Sequence, residues 1–235
     1  MIDCIILAGG LGTRLRTAVP DQPKPLAPIR GKPFLDLLLD RLSFTSKVVL
    51  AVGYKASQII DYYTSCPPSV CLDFSVESTP LGTGGAIQRA LSKTSSDQIL
   101  VLNGDSFLEF IFVPFWEYHL SKKSALTLAT VHVEDADRFG QIEIDGGSQK
   151  IVSFREKSSC KASGWINAGV YLMKRQLFDN LPLGDSFSLE KEVFPLLLKR
   201  DVEIFSYCLE TPFIDIGTPA SFYEAQSLLS SRVLS

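Results

Sequence analysis

Short runs of consecutive apolar residues alternate, along the first half of the chain, with stretches in which apolar residues recur every three or four positions. The first pattern predicts buried strands of a parallel sheet, and the second predicts amphipathic helices packed against it. This alternation is typical of an α/β fold built from βαβ units. The strands predicted are residues 2–7, 47–52, 71–76, 98–102 and 126–132, and the helices are residues 34–42, 57–63, 85–91 and 115–121.

The rhythm changes after residue 133, where residues 139–145 and 150–155 flank a Gly146-Gly147 turn and predict a β-hairpin. The further elements predicted are strands at 167–173 and 202–207 and helices at 189–199 and 220–232. No hexapeptide repeat of the kind that builds a left-handed β-helix occurs at the C-terminus. We therefore predict one α/β domain over residues 1–235, with a mixed, mostly parallel sheet flanked by helices.

The composition is that of an ordinary globular protein, with 46% hydrophobic and 21% charged residues. A net charge of −3 argues against a nucleic-acid partner, because a surface that follows a phosphate backbone usually makes a domain basic. The apolar stretch at residues 107–116 is shorter than the roughly 18 residues of a membrane span. We expect this stretch to be buried in the core or to form a contact between copies of the chain. A homo-oligomer is therefore one possibility.

Cysteine and histidine usage favours a cytoplasmic protein without a zinc site. The five cysteines form no C-x-x-C pair, and the sequence has two histidines. No basic segment precedes the first apolar run, so we expect no signal peptide. We interpret the five cysteines as reduced thiols of a cytoplasmic protein.

The first predicted strand ends in a glycine-rich loop, LAGGLGTR over residues 7–14, and PKPL follows at residues 23–26. The loop does not match the dinucleotide-binding pattern, because Leu15 stands where the third glycine belongs, and it lacks the Gly-Lys-Ser/Thr of a P-loop. Glycines leave backbone N–H groups open to a polyphosphate, while Arg14 and Lys24 add positive charge. Together, the glycine loop, Arg14 and Lys24 predict an enzyme that acts on a nucleoside triphosphate. For the Gly-Gly pair taken alone, the alternative interpretation is a tight turn without a ligand.

Two aspartates are predicted at the carboxyl edge of the same sheet. Asp105 follows the strand at residues 98–102, and Asp215 ends a short apolar segment before a Gly-Thr-Pro turn. Carboxylates at this edge suit Mg²⁺, which prefers oxygen ligands and substrate phosphates. A turn-capping aspartate is the alternative for Asp105 taken alone.

A second glycine-rich turn, within residues 77–86, leads into a predicted helix. Gly82 and Gly84 would let backbone atoms approach a flat base, and the helix N-terminus would add positive potential. We hypothesise that Glu77 accepts hydrogen bonds from N1–H and the 2-amino group of guanine. A carboxylate is ill matched to the equivalent edge of adenine.

In their order and spacing these motifs resemble those of the sugar-1-phosphate nucleotidyltransferases, over nearly the whole chain. The resemblance implies the Rossmann-like nucleotide-diphospho-sugar transferase fold without a C-terminal β-helix. It implies a nucleotide-binding half at residues 1–133, a sugar-phosphate-binding half at 134–220 and a C-terminal helix at 220–235. It further implies Mg²⁺ as the cofactor, bound by Asp105 and Asp215.

The resemblance also implies roles for individual residues. The catalytic residues implied are Arg14, Lys24 and Asp105. The nucleotide-binding residues implied are Leu7, Ala8, Gly9, Gly10, Gly12, Thr13, Arg14, Glu77, Pro80, Gly82, Thr83, Asn103 and Gly104. The sugar-phosphate-binding residues implied are Gly140, Glu156, Lys157 and Asn167. For the Glu156-Lys157 pair taken alone, a solvated charged hairpin is the alternative.

Within this family the chain is most similar to the D-glycero-α-D-manno-heptose 1-phosphate guanylyltransferases, in residues 17–25, 28–35, 80–85 and 187–191. This implies GTP and a sugar 1-phosphate as partners, and a GDP-sugar for bacterial surface polysaccharides as product. Relatives that use pyrimidines can also carry an acid at position 77. A mannose or other hexose 1-phosphate guanylyltransferase and a uridylyl- or cytidylyltransferase are therefore alternatives. An inactive nucleotide-binding regulatory subunit is the alternative from another class.

Overall fold

The computed structural model describes residues 1–136, 139–155, 162–179 and 181–230. Its strands are β1 (Ile2–Leu7), β2 (Pro28–Ile29), β3 (Lys32–Pro33), β4 (Thr45–Val52), β5 (Leu72–Val76), β6 (Gln98–Asn103), β7 (Ser106–Leu108), β8 (Leu126–Val133), β9 (Gln141–Ile144), β10 (Ile151–Arg155), β11 (Gly164–Lys174), β12 (Ile204–Leu209) and β13 (Phe213–Asp215). Its α-helices are α1 (Phe34–Leu39), α2 (Ala56–Ser65), α3 (Gly82–Ala90), α4 (Phe112–Ser121), α5 (Phe194–Lys199) and α6 (Pro219–Leu228).

The central sheet is mixed and continuous. Strands β5, β4, β1 and β6 lie side by side in that order, and all four are parallel. Strand β11 continues the sheet by antiparallel pairing with β6 and β8, and β12 pairs parallel with β8. The hairpin of β9 and β10 joins the amino-terminal part of β11. The predicted α/β fold with a mixed sheet flanked by helices is confirmed.

The central strands read as unbroken apolar runs because both faces of the sheet are covered. In β1 the side chain of Ile5 packs into one core with residues of α3 and α5. Those of Cys4 and Ile6 pack into the opposite core with residues of α1, α2, α4 and α6. Among the described helices, none is long and apolar enough to cross a lipid bilayer.

Several elements differ from the sequence prediction. The predicted helix at residues 189–199 is a π-helical turn, Leu189–Val193, followed by α5. The α-helix restarts here because Pro195 has no N–H to continue the ladder. The two-residue strands β2 and β3 and the pairing of β7 with β13 were not predicted. In segments this short, periodicity carries no signal.

Candidate active site

The register of the parallel strands brings their carboxyl ends to one edge of the sheet. Leu7 of β1 pairs with Ala51 of β4 and with Asn103 of β6. Val52 of β4 pairs with Val76 of β5. The segments that follow these four strands therefore meet, as ligand-binding segments do in open α/β sheets.

These segments enclose a cleft of about 480 Å³. The residues of its lining that the sequence predicted are Leu7, Ala8, Gly9, Gly10, Lys24, Glu77, Pro80, Gly82, Thr83, Asn103, Gly104 and Asp105. Five further residues of its lining lie in the segments that the sequence analysis singled out but were not assigned to the site: Leu11, Pro25, Ser78, Thr79 and Ala86. The sequence analysis missed Ala51, Gly53 and Tyr54. Gly53 and Tyr54 directly follow a predicted strand, so the argument from strand ends that was used for Asp105 would have found them.

The continuation of the glycine loop lies beside the cleft and not in its lining. Residues Thr13–Leu15 form a short 3-10 helix, which the buried side chain of Leu15 anchors to the core. Arg14 on this turn is exposed. Arg16, two residues further, stacks its guanidinium 4.8 Å from the ring centre of Tyr54 and so ties the loop to the segment that follows β4.

Lys24 carries its ammonium between the two predicted metal-binding aspartates. Lys24 Nζ lies 2.6 Å from Asp105 Oδ2 and 3.9 Å from Asp215 Oδ2. The lysine side chain is 10% exposed, and its stem packs against Gly12, where a Cβ would lie 3.1 Å from Lys24 Cβ. A 3-10 turn at Lys24–Leu26, with prolines on both sides of the lysine, sets this direction.

The two aspartates are brought together by the pairing of β7 with β13, in which Asp215 lies opposite Ser106. The backbone N–H of Ile216 donates to the carbonyl of Asp105, and that of Gly217 donates to Asp215 Oδ1. The described residues contain no group of three or more metal-ligating side chains. Two carboxylates are the donor set for a cation whose remaining oxygen ligands come from substrate phosphates, so the pair fits Mg²⁺ bound with a nucleotide.

Glu77, which directly follows β5, lines the same cleft and occupies a narrow slot between two glycines. A Cβ added to Gly9 would lie 2.9 Å from Glu77 Oε1, and one added to Gly53 would lie 2.4 Å from it. The backbone N–H of Leu81 donates to Glu77 Oε2 over 3.2 Å. Partial burial raises the pKa of Glu77 above its usual value, against the opposing effects of that N–H and of Arg89. A half-buried carboxylate in a cleft is a natural acceptor for ligand N–H groups.

Gly84 of the second turn serves a different purpose from the one expected. Gly84 is not in the cleft lining, and its missing side chain leaves room for the ring of Phe187. The N–H groups of Gly84 and Gly85, at the start of α3, donate to the carbonyl of Phe187. The helix N-terminus is therefore already hydrogen-bonded within the protein.

Of the residues predicted to bind the sugar phosphate, the structure describes Gly140 and Asn167, and neither lines the cleft. Asn167 Nδ2 donates to the Tyr171 hydroxyl over 2.8 Å, and Asn167 Oδ1 accepts from the Gly169 N–H over 2.9 Å. Gly140 is exposed at the start of the β9 hairpin, next to Phe139, whose ring packs on Phe213. Glu156 and Lys157 lie outside the described residues.

The comparisons with known proteins agree with this geometry. Residues 3–232 match the model of the family described as "Nucleotidyl transferase". The chain is 34% identical to D-glycero-alpha-D-manno-heptose 1-phosphate guanylyltransferase from Aneurinibacillus thermoaerophilus, over 99% of this chain and 100% of that protein. It is also 34% identical to mannose-1-phosphate guanylyltransferase from Mycobacterium tuberculosis, over 94% of this chain and 62% of that protein.

A solved structure supports the same assignment. HddC from Yersinia pseudotuberculosis, crystallised with GMP-PN, superposes with a TM-score of 0.86 at 36% identity, over 97% of this chain and all of that one. The resemblance seen in the loop motifs is thereby confirmed. The chain belongs to the nucleotidyl transferase family.

Proposed function

We propose that this chain transfers a guanylyl group from GTP to D-glycero-α-D-manno-heptose 1-phosphate, giving GDP-heptose and pyrophosphate. One observation carries the proposal: a single strand-edge cleft is lined both by the Lys24–Asp105 ion pair, beyond β6, and by the slotted carboxylate of Glu77, beyond β5. The heptose acceptor is supported by the relative that this chain matches over its full length.

The reaction proposed is one in-line displacement. A phosphate oxygen of the sugar 1-phosphate attacks the α-phosphorus of GTP, and the bond from that phosphorus to the bridging oxygen of the β-phosphate breaks. The electron pair of that bond leaves with pyrophosphate. Because the attacking oxygen is already anionic, no general base is needed, and catalysis rests on positioning and charge stabilisation.

Each cationic residue has a place in this proposal. Lys24, held at the cleft wall, stabilises the crowded α-phosphoryl group, and Arg14 stabilises the leaving pyrophosphate. Asp105 and Asp215 would hold Mg²⁺, which, when bound, neutralises charge on the triphosphate. Lys157 would bind the incoming sugar phosphate.

The base and the sugar are recognised in different halves of the chain in this proposal. The nucleotide half is residues 1–133, where Glu77 accepts from N1–H and the 2-amino group of guanine. Backbone groups of the residues at the strand ends hold the rest of the nucleotide. The sugar half is residues 134–220, where Gly140 and Glu156 contact sugar hydroxyls and Asn167 lies beside the sugar. The predicted C-terminal helix at residues 220–235 follows the sugar half, and the structure describes its first part as α6 (Pro219–Leu228).

We place the reaction in the cytoplasm, where GTP is available, and expect the product to supply bacterial surface polysaccharide synthesis. The described cysteines are free thiols, which supports this placement. The surface at residues 107–116, where Ile111 is 74% exposed, is where we would look for a contact between copies of the chain.

The sugar specificity is tested by pyrophosphate release from GTP with heptose 1-phosphate, mannose 1-phosphate or glucose 1-phosphate as acceptor. We expect the highest kcat/KM with heptose 1-phosphate. A higher value with mannose 1-phosphate favours the second candidate, a mannose-1-phosphate guanylyltransferase, which the Mycobacterium tuberculosis relative supports. No release with any acceptor or triphosphate favours an inactive regulatory subunit.

A further inference from the structure

Residues 185–190, which belong to the sugar half of the chain, pack directly on the turn at residues 80–85. Gly82 has φ +71°, a conformation that other residues rarely adopt, and a Cβ there would lie 2.4 Å from the carbonyl oxygen of Phe187. A Cβ on Gly84 would lie 2.4 Å from the Phe187 ring, and one on Gly85 would lie 3.0 Å from the Asp185 carbonyl oxygen. The glycine-rich turn is thus shaped to receive this segment.

Backbone hydrogen bonds join the two segments at close intervals. The Phe187 N–H donates to the Leu81 carbonyl over 2.9 Å, and the Phe187 carbonyl accepts from Gly84 and Gly85 over 3.0 and 3.2 Å. The hydroxyl of Ser186 donates to the Pro80 carbonyl over 3.1 Å. The side chain of Phe187 is buried, so the contact cannot open without exposing an aromatic ring.

Side chains add a second set of contacts around Thr83, whose hydroxyl donates to Glu190 Oε2 over 2.9 Å. The same hydroxyl accepts from the backbone N–H of Leu189, over 2.9 Å. The Ser188 hydroxyl also donates to Glu190 Oε2. Neither Glu190 nor Phe187 lines the cleft, whereas Pro80, Gly82 and Thr83 do.

The contacts lead directly to Glu77. Phe187 binds the carbonyl of Leu81, and the N–H of Leu81 binds Glu77 Oε2. The Pro80–Leu81 peptide, whose N–H binds Glu77, also accepts a hydrogen bond from Ser186 at its carbonyl, and the next peptide accepts one from Phe187, so the 185–190 segment holds both in place.

We propose that Phe187 and Glu190 are positioning residues that set base specificity, by holding the 80–85 turn where Glu77 meets the guanine 2-amino group. The proposal rests on the function proposed above. It assigns a task to the Phe187-Ser-Leu-Glu-Lys191 motif, whose residues lie outside the cleft. Base recognition then depends on a segment about 100 residues away along the chain from the carboxylate that performs it.

The test compares Glu190→Ala with Glu192→Ala. Both carboxylates hydrogen-bond Ser188, through its hydroxyl for Glu190 and its backbone N–H for Glu192, but the Glu190 carboxylate also accepts from Thr83. The probes are GTP and ITP, titrated calorimetrically into the full-length protein. ITP keeps the N1–H of guanine and lacks its 2-amino group, so the ratio of the two Kd values reports on the Glu77 contact.

In the unchanged protein we expect GTP to bind at least about tenfold more tightly than ITP, as for a lost hydrogen bond to a charged group. Glu190→Ala should reduce this preference to about threefold or less, with the KM for the sugar 1-phosphate unchanged. Glu192→Ala should keep the full preference. Equal weakening of GTP and ITP binding by Glu190→Ala, or the same loss of preference in Glu192→Ala, overturns the proposal.

Two further results distinguish a failure of the positioning proposal from a failure of the proposed function or of folding. An unchanged protein that binds GTP no better than ITP or UTP contradicts the proposed function, and the positioning proposal with it. If Glu190→Ala does not fold, judged by its unfolding temperature, Glu190→Gln replaces it, because the amide keeps one acceptor oxygen. We then expect an intermediate loss of preference, and a preference equal to that of the unchanged protein overturns the inference.

Discussion

The side chain of Lys24 is held in a fixed position in the substrate-free site. Its ammonium is 2.6 Å from Asp105 and is largely shielded from water, so its position is fixed by an ion pair. A preoriented charge of this kind stabilises a transition state without the cost of reorganising solvent. The carboxylate that holds the lysine is also the one proposed to bind the metal, so cation binding and lysine placement are linked.

We expect Lys24→Ala and Asp105→Asn each to lower kcat by about 100-fold or more, the scale of losing one electrostatic stabiliser. Steady-state pyrophosphate release measures this. The control is Lys32→Ala, which breaks the more exposed ion pair of Lys32 with Asp40 and should leave kcat unchanged. Rates near normal in both site variants would remove Lys24 and Asp105 from the reaction centre.

At the scale of elements, His119 joins helix α4 to the sheet. The ring is buried, with Nδ1 2.7 Å from the Thr127 hydroxyl of β8 and Nε2 3.0 Å from Gln98 Oε1 of β6. Burial lowers the pKa of His119 to about 4, with a smaller effect from the charge of Lys174. The neutral ring is therefore the form that the folded protein holds.

This arrangement predicts a pH-dependent stability. The unfolded chain binds a proton at His119 near pH 6.5 and the folded one near pH 4, so the stabilisation is present above pH 6.5 and is lost as the pH falls toward 4. Between pH 7 and pH 5 the loss is about 2 kcal/mol. Urea unfolding of the unchanged protein and of His119→Gln should show this loss in the former only. His132→Gln, at the exposed second histidine, is the control and should behave as the unchanged protein. The same pH slope in His119→Gln would contradict the assignment.

The elements that sequence predicts best are those that are long and buried. Strand β1 was predicted with its observed bounds because it is a six-residue apolar run covered on both faces. The β7–β13 pairing that unites Asp105 and Asp215 was not predicted, since each strand has three residues and they are about 100 residues apart. The two aspartates were nevertheless found, because each follows or ends an apolar segment.

Sequence predicted the parts of the candidate site that consist of loop backbone and charged side chains. It predicted less well the parts that depend on packing between distant segments. Gly84 reads in sequence as an opening for a base, but the structure fills that opening with Phe187. Local sequence cannot reveal a partner that arrives from about 100 residues away. The hydrogen bonds of the Asn167 amide with Tyr171 and Gly169 were likewise not predictable from the local sequence.

At the scale of the whole molecule, a net charge of −3 coexists with a site for a highly charged anion. The positive charge needed is local, on the 7–26 segment, and the cation proposed to bind Asp105 and Asp215 would supply the rest. A cleft that concentrates charge in this way attracts a nucleotide without making the whole surface basic.

We therefore expect chelation by EDTA to abolish turnover and added Mg²⁺ to restore it. The unfolding temperature of the substrate-free protein should not change, because the described residues contain no cluster that would hold a structural metal. Differential scanning fluorimetry alongside the activity assay separates these effects. A fall in unfolding temperature with EDTA would point to a metal that supports the fold instead.

The measurement that most directly tests the central claim follows the phosphorus atoms of GTP. Heptose 1-phosphate is incubated with the protein and with GTP labelled either at the α- or at the γ-phosphorus, and the products are separated. We predict that the α-label appears in the nucleotide-sugar and the γ-label in pyrophosphate. Transfer of the γ-label to the sugar, or no transfer of the α-label, would contradict an attack on the α-phosphorus in this cleft.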